Sequence, residues 1–557
     1  MLPVSNKKYF VLAVLSGILL LLSYPPFNLE FLAWVAFVPW LIILYEERDL
    51  QNVEKLNRVR GIILSPIIFW IGFMIGDYAT LFLPSSIYSS IAPYYWGIVA
   101  VGVLLFTYSG FMNEFPEITG FQTKHNPPEK LSYLPARLPP ASQIFIPAIM
   151  WTAAEFLMMN VPILMKILGG FGFFSLAKTQ WRNVPLIQLA SFTGMYGVTF
   201  LILLVNSAIA YAAIQYAESK KVSKPALATL LAFFLLFVAL WMNTPGAATG
   251  TFKVAVIHAP PEHGEDFGDL YADLTLQALE EHQPKMVMWA FWAVGARYGM
   301  TGPDPSMPSR LGPDPSVYRN MWMEHDIYLV GTGVIIYPDG ETHYMSTTYH
   351  FINTLDGLIP PDFDLTKALF PRALCYDTDY GSMGMLICQE GGFPPPTNQL
   401  VRDGMDFLVI STGEVSETYM MPEQFVSNAV YRAVEHRIPV VHVMNFRESV
   451  IVDPYGRVVN DVSTSEMAVG EMSFSDEETF YTKYGDIFGW TVVGVASALA
   501  GYNIYLGKKS PIKYCERCMT ENMKDSEVCA ECGSSLVKPP LWKRILLHEY
   551  YEHVKKK

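Results

Sequence analysis

Charged side chains are scarce in this chain. Only 16% of its 557 residues are Asp, Glu, Lys or Arg, against 51% hydrophobic ones, and the mean hydropathy is +0.24. That balance excludes an ordinary soluble protein and points to segments that cross a bilayer. Basic residues are scarcest in the middle. Residues 248–486 hold 13 Lys and Arg against 34 Asp and Glu, a balance of −21 that leaves +8 for the flanks. So acidic a stretch excludes nucleic acid as its partner, and the contrast with basic flanks suits the two sides of a membrane. Cysteine is rare too: Cys375 and Cys388 lie in the acidic middle, and Cys515, Cys518, Cys529 and Cys532 cluster near the C-terminus. There is no internal repeat and no low-complexity tract. A cleavable signal peptide is not expected, because the apolar run 9–22 behind Lys7 and Lys8 has no small-residue cleavage site and leads directly into further apolar segments.

Long apolar runs, by contrast, are plentiful. Seven precede residue 248, near 9–24, 29–45, 61–80, 92–112, 143–160, 192–216 and 225–243, and an eighth lies near 487–506. Lysine and arginine in the short loops set the orientation. Lys7 and Lys8, the loop with Arg48, Lys55, Arg58 and Arg60, the loop with Lys220, Lys221 and Lys224, and the tail from Lys508 are separated by even numbers of spans. All four therefore belong to the cytoplasmic side, with the loop of Lys166, Lys178 and Arg182 a mild exception. The expected layout is a transmembrane domain over 1–247 and an exoplasmic domain over 248–486. A last span over 487–507 then returns a tail, 508–557, to the cytoplasm.

The exoplasmic segment alternates strand and helix patterns. Strands are expected at 252–257, 285–289, 328–337, 383–388, 406–411 and 440–444, helices at 270–282 and 422–436, and a hairpin at 449–459 turning on Asp453-Pro454-Tyr455-Gly456. Such alternation implies α/β or α+β architecture with mixed sheets. The strand 383–388 has a special ending. Five uncharged residues run into Cys388, followed by Gln389, Glu390, two glycines and Phe393-Pro394. A thiol at the end of a buried strand, beside a carboxylate, is a place for a nucleophile. It is also a place for a space-filling cysteine, since free cysteine is among the most buried residue types. Lys367 is the only lysine between Lys285 and Lys483, and it would suit a developing oxyanion; an ordinary solvated lysine is the plainer reading. Glu390 is either a catalytic carboxylate or a cap. A structural disulfide between Cys375 and Cys388 is the competing account of the thiol.

In the tail, Cys515-x2-Cys518 and Cys529-x2-Cys532-Gly533 are separated by ten residues, the spacing of a zinc ribbon over 513–536. Four thiolates imply a closed, structural Zn²⁺ site, and a reducing cytoplasm suits them. A cytoplasmic partner for the ribbon is a further expectation. The stretch 541–547 is basic and amphipathic, suited to the inner leaflet or to a solvated helix.

Several motifs together resemble the apolipoprotein N-acyltransferase family, membrane proteins with a nitrilase-like (carbon–nitrogen hydrolase) domain. They are Ser23-Tyr24-Pro25-Pro26-Phe27-Asn28 with Leu32 to Pro39, the stretch 185–198, Leu386-Ile387-Cys388-Gln389-Glu390, Tyr431-Arg432-Ala433-Val434-Glu435-His436-Arg437, and Lys483-Tyr484-Gly485-Asp486. The resemblance implies an α-helical transmembrane bundle carrying an α-β-β-α sandwich, with no catalytic cofactor. It implies a phospholipid acyl donor, a thioester on Cys388, and transfer to the amine of a lipoprotein diacylglyceryl-cysteine, with Lys367 stabilising the tetrahedral intermediate and Glu390 as the glutamate beyond the nucleophile. Two departures stand out. Phe291 occupies the place of the family's base glutamate, in Trp289-Ala290-Phe291-Trp292, and no Glu lies between Lys367 and Glu390. Phenylalanine accepts no proton, and loss of a general base removes about 10²–10⁴-fold of rate. Either another carboxylate, Glu262 or Glu414, substitutes, or the domain is a non-catalytic binder of lipid or lipoprotein. Amide or nitrile hydrolysis is a third option.

Overall fold

A computed structural model describes most of 12–46, then 140–161, 175–244, 248–258, 267–290, 323–331, 334–344, 374–412, 422–444, 449–460, 466–509 and pieces of the tail between 512 and 533. The apolar runs expected at 61–80 and 92–112 lie outside the described residues. Three described helices are long and apolar enough to cross a membrane: Ser142–Asn160, Met195–Ala217 and Lys224–Met242. The helix Lys224–Met242 starts where the Ser223 side chain accepts from the Ala226 N–H, with Pro225 in the first turn. Almost all of its surface faces outward, as lipid contact requires. The apolar run expected near 487–506 forms the helix Ile487–Lys509.

Two expected spans are broken rather than continuous. The second consists of a 3-10 turn, Glu30–Trp34, and a helix, Val38–Glu46. The sixth, expected at 192–216, is divided at Gly194 between the helices Ala190–Thr193 and Met195–Ser219, with a short helix Val184–Ile187 before it. The break at Gly194 has a local cause. Its φ is +63°, and a Cβ there would lie 2.7 Å from the Tyr481 ring, so only glycine admits both the turn and the neighbour.

The polar segment folds into two sheets. The first contains β1 (Thr249–Ile257), β2 (Met286–Trp289), β3 (Tyr328–Gly331), β4 (Val334–Ile336), β5 (Thr342–Tyr344) and β11 (Met467–Phe474), in the order β11-β1-β2-β3-β4-β5. The second contains β6 (Cys375–Thr378), β7 (Gly381–Ile387), β8 (Phe407–Thr412), β9 (Val440–Met444) and β10 (Val450–Val452), in the order β10-β9-β8-β7-β6. The run expected as one strand over 328–337 doubles back, with Leu329 opposite Ile336, and Gly331 ends its first arm. A short antiparallel pair, β12 (Ile512–Tyr514) and β13 (Glu521–Met523), opens the tail.

Alternation along the strands assigns the layers. Met383, Met385, Phe407, Val409 and Val441 meet Val254, Val256 and Met288 of the first sheet in one apolar core. The helix Phe267–His282 covers the outer face of the first sheet through Tyr271, Ala278 and Leu279. On the second sheet's other face, Leu386, Leu408 and Ile410 pack under the helices Pro394–Arg402 and Pro422–His436. The expected α-β-β-α sandwich is therefore present. The same apolar cluster continues through Val426, Val430 and Val434 to Ile187, Met195 and Val198 of the membrane part.

The β6–β7 register excludes the disulfide. Cys375 lies opposite Gly384, four residues before Cys388. At about 3.3 Å per residue the two cysteine Cα atoms are about 13 Å apart, against roughly 4.4–6.8 Å for a bridged pair. The Cys375 Sγ instead donates to the Leu400 carbonyl at 3.6 Å.

Candidate active site

Strands β7, β8 and β9 are parallel, so their C-terminal ends share one edge, the usual ligand edge of such sheets. β7 ends on an extended Ile387 (φ −110°, ψ 123°), and Cys388 opens a 3-10 turn, Cys388–Gly392. The Glu390 carboxylate is buried and folds back so that Oε2 accepts from the Ile387 N–H at 2.7 Å. Glu390 thus satisfies a backbone donor that the turn would leave orphaned. The paired glycines have a packing reason. A Cβ on Gly391 would stand 2.8 Å from Ile410 Cδ1, and one on Gly392 would touch the Asn428 amide at 3.4 Å. The turn is pressed between β8 and the helix Pro422–His436.

That helix carries the part of the site that sequence reasoning missed. Gln424, Ser427, Asn428, Arg432, Glu435 and His436 are all buried, and most point at membrane-part residues or at the junction before the last span. Lys178 Nζ donates to Asn428 Oδ1. The Tyr431 hydroxyl donates to the Ala177 carbonyl at 2.6 Å, and the Met195 N–H donates to Glu435 Oε1 at 2.9 Å. At the helix start, Arg182 pairs with Glu423 at 3.0 Å, and Asn28 Nδ2 donates to the same carboxylate. At its end, His436 bridges Asn398 (2.9 Å) and Thr482 (3.0 Å). Asn398 and Tyr481 both donate to Asp486. The motif residues 431–437 and 483–486 thereby act together to dock the sandwich on the membrane helices. Their signal in the sequence was charge and hydrogen-bonding capacity on a helix otherwise rich in valine and alanine.

Burial governs the electrostatics here. The pair Arg432 Nη2–Glu435 Oε2, at 2.9 Å, is 1% and 0% exposed, and Arg432 Nε and Nη1 meet no partner among the described residues. Desolvation pushes the Glu435 carboxyl up to about 7, with Arg432 opposing it. Burial pushes the Lys178 ammonium well below its usual range, with Arg432 adding repulsion. Burial also pushes His436 down to about 3, again with Arg432 adding to it.

Lys367, Phe291, Glu262 and Glu414 lie outside the described residues, as do Cys515 and Cys518. Of the tail cysteines, Cys529 is buried and Cys532 half-buried. They share one reverse turn, closed by the Gly533 N–H on the Cys529 carbonyl at 3.0 Å, with Gly533 at φ +68°.

Two family models match the chain in succession: the apolipoprotein N-acyltransferase N-terminal domain over residues 16–208 and carbon-nitrogen hydrolase over residues 317–480. The apolipoprotein N-acyltransferase of Geobacter metallireducens is 27% identical over 535 residues, covering 89% of this chain and 95% of that protein. Its counterpart from Thermotoga maritima is 23% identical, covering 87% and 92%. Among solved structures, Saccharomyces cerevisiae Nit3, a member of branch 10 of the nitrilase superfamily, is 16% identical with a TM-score of 0.29, covering 41% of this chain and 92% of that one. Both domain models match in order and the relatives are matched over nearly their whole length, so the chain is similar over most of its length to the apolipoprotein N-acyltransferases.

Proposed function

We propose that this protein is a membrane acyltransferase that moves an acyl chain from a phospholipid, through a thioester on Cys388, to the N-terminal amine of a lipoprotein diacylglyceryl-cysteine. One observation carries the reading. The turn that begins at Cys388 lies against the helix Pro422–His436, whose other contacts run into the membrane helices. An acyl donor that stays in the bilayer would need the nucleophile's turn close to the apolar helices, and this packing supports that.

The chemistry balances in two transfers. The Cys388 thiolate attacks the donor's ester carbonyl, and a lysophospholipid leaves as the alcohol. The acceptor amine then attacks the thioester carbonyl, the thiolate leaves, and the amine gives up a proton. Lys367 is assigned to the oxyanion in both steps. Glu390 acts by holding the turn that presents Cys388, which its bond to the Ile387 N–H supports. With Phe291 in place of a carboxylate, Glu262 or Glu414 would take the thiol proton.

The layout proposed with this function has about eight spans, the sandwich on the exoplasmic side and both termini in the cytoplasm. The basic loops and the apolar helices support it. The tail is proposed to hold a structural Zn²⁺ on Cys515, Cys518, Cys529 and Cys532 and to offer a surface to a cytoplasmic partner. The Cys529–Gly533 turn sets two thiols on one knuckle, and the β12–β13 pair brackets the other two in sequence.

The test is acyl transfer from a phospholipid with a labelled acyl chain. The unaltered protein should trap label on Cys388 and pass it to a lipoprotein peptide, and Cys388→Ala should lose both signals. Undiminished transfer by Cys388→Ala, or no thioester on the unaltered protein, would end the reading.

A further inference from the structure

One short turn of the membrane part is held with unusual care. The 3-10 turn Leu176–Gln180 is buried throughout and is tied to two membrane helices. From the helix Ile146–Asn160, Glu155 accepts from the Ser175 hydroxyl at 2.7 Å and from the Leu176 N–H at 3.2 Å. From the helix Met195–Ser219, Thr199 donates to Glu155 at 2.8 Å and accepts from the Ala177 N–H at 3.1 Å. A carboxylate buried in an apolar bundle is costly unless its oxygens are met, and these are met largely by the turn and its flank. The same turn faces the sandwich, where the Ala177 carbonyl accepts from the Tyr431 hydroxyl and Lys178 Nζ donates to Asn428 Oδ1.

Asn428 is where this arrangement reaches the turn that begins at Cys388. A carboxamide has one accepting end and one donating end. The accepting end is turned to Lys178, so the donating end is turned away from it. Nδ2 is the atom nearest to the place of a Gly392 Cβ, at 3.4 Å, and it has no hydrogen-bond partner among the described residues. Lys178 is therefore the group that selects which way the amide points. On the turn's β8 side, the place of a Gly391 Cβ is 2.8 Å from Ile410 Cδ1. The two glycines leave no side chain between the turn and either neighbour, so a change in the Asn428 amide is felt directly by the backbone of the turn.

We propose that Lys178, acting through Asn428, is a positioning residue for the Cys388–Gly392 turn. Docking of the sandwich on the membrane helices then sets the geometry of that turn as well as holding the two parts together. Without the lysine the amide loses its fixed orientation, and the turn loses one of the two surfaces that define it. The consequence for acyl transfer rests on Cys388 being the nucleophile, but the test needs neither lipid nor acyl transfer.

The experiment is hydrogen–deuterium exchange on the intact chain in detergent, comparing the peptide over 388–393 with the peptide over Val440–Met444. Lys178→Met should speed exchange in the turn by about 10-fold, the size expected when one buried hydrogen bond is lost, with less than about twofold change in the strand. Lys178→Gln, which keeps an N–H donor for Asn428, should return the original rate. Arg182→Ala, which removes a different docking contact on the same helix, should leave the turn unchanged. Should Lys178→Met unfold, the double variant Lys178→Met with Asn428→Leu strands no buried polar group and should give the same acceleration. Exchange in the turn that is unchanged in both variants, or that rises equally in turn and strand, overturns the proposal. If the turn alone accelerates while the unaltered protein forms no thioester with phospholipid, the acyltransferase reading falls and the positioning role of Lys178 stands.

Discussion

The two outer helices of the sandwich have the same kind of sequence and opposite fates. Phe267–His282 and Pro422–His436 both alternate apolar and polar residues at helical spacing, and each covers one sheet. In the first, Asp273, Gln277, Glu280 and Glu281 face solvent. In the second, every residue from Gln424 to His436 is buried. Its polar stripe is not a solvated face but a docking face, matched by Lys178, Arg182, Asn398 and the Met195 N–H. The difference teaches that an amphipathic helix reports only which side meets its own sheet. What meets the other side depends on the rest of the chain.

Substitutions can break this contrast in graded steps. Arg432→Ala should be the most damaging, because it strands Glu435 in a fully buried site. A loss of about 3–5 kcal/mol is expected for a broken buried pair, read by thermal unfolding in detergent. Lys178→Met should cost less, about 1–3 kcal/mol for a buried acceptor left unmet on Asn428. Because Asn428 touches the Cys388 turn at Gly392, acyl transfer in this variant should fall further than the stability loss predicts.

The pH dependence of stability sharpens the comparison further. Glu435 has a raised folded pKa of about 7, so its contribution is full below its unfolded value of about 4.3 and is lost as pH rises through 7. His436 and His442 have folded values of about 3. Their contributions are full above an unfolded value of about 6.5 and are lost as pH falls through 3. Stability should therefore drop on acidification below about pH 6.5, with Glu435 offsetting part of the loss. Glu435→Gln should make the drop steeper, and His436→Gln should make it shallower. An unaltered profile in both variants would refute the assignment. The smallest effect belongs to the solvated helix: Glu280→Ala should change stability by no more than about 0.5 kcal/mol.

Strongly patterned elements were legible in the sequence. The helix Pro422–His436 and the strand Val440–Met444 have the bounds their residues imply. The strand before Cys388 is also present, and the apolar runs at 143–160, 225–243 and 487–506 are helical. The elements missed are those whose pattern is weak. β6 is four residues, Cys-Tyr-Asp-Thr, at a sheet edge, and β11 is a half-exposed edge strand beside β1. Both owe their existence to a partner strand more than to their own propensity. Glu390 illustrates the same limit at the site. Its residue type allowed either a catalytic role or a cap, and only the folded turn brings its carboxylate to the Ile387 N–H, at 2.7 Å.

Composition and short-range pattern alone settled that the chain has apolar membrane-spanning character, that its polar middle is built of strands and helices, and that one thiol ends a buried strand. Those properties follow from local hydropathy and from periods of 2 and 3.6 residues, which need no knowledge of distant segments. Three matters were decided only by folding. The helix Pro422–His436 turns its charges toward the membrane part. Cys375 lies far from Cys388. Thr412 of β8 and His442 of β9 share a buried hydrogen bond across the two strands. Each depends on strand register or on contacts between residues 24 to 254 positions apart, and such contacts form where packing and hydrogen bonding balance across the whole molecule.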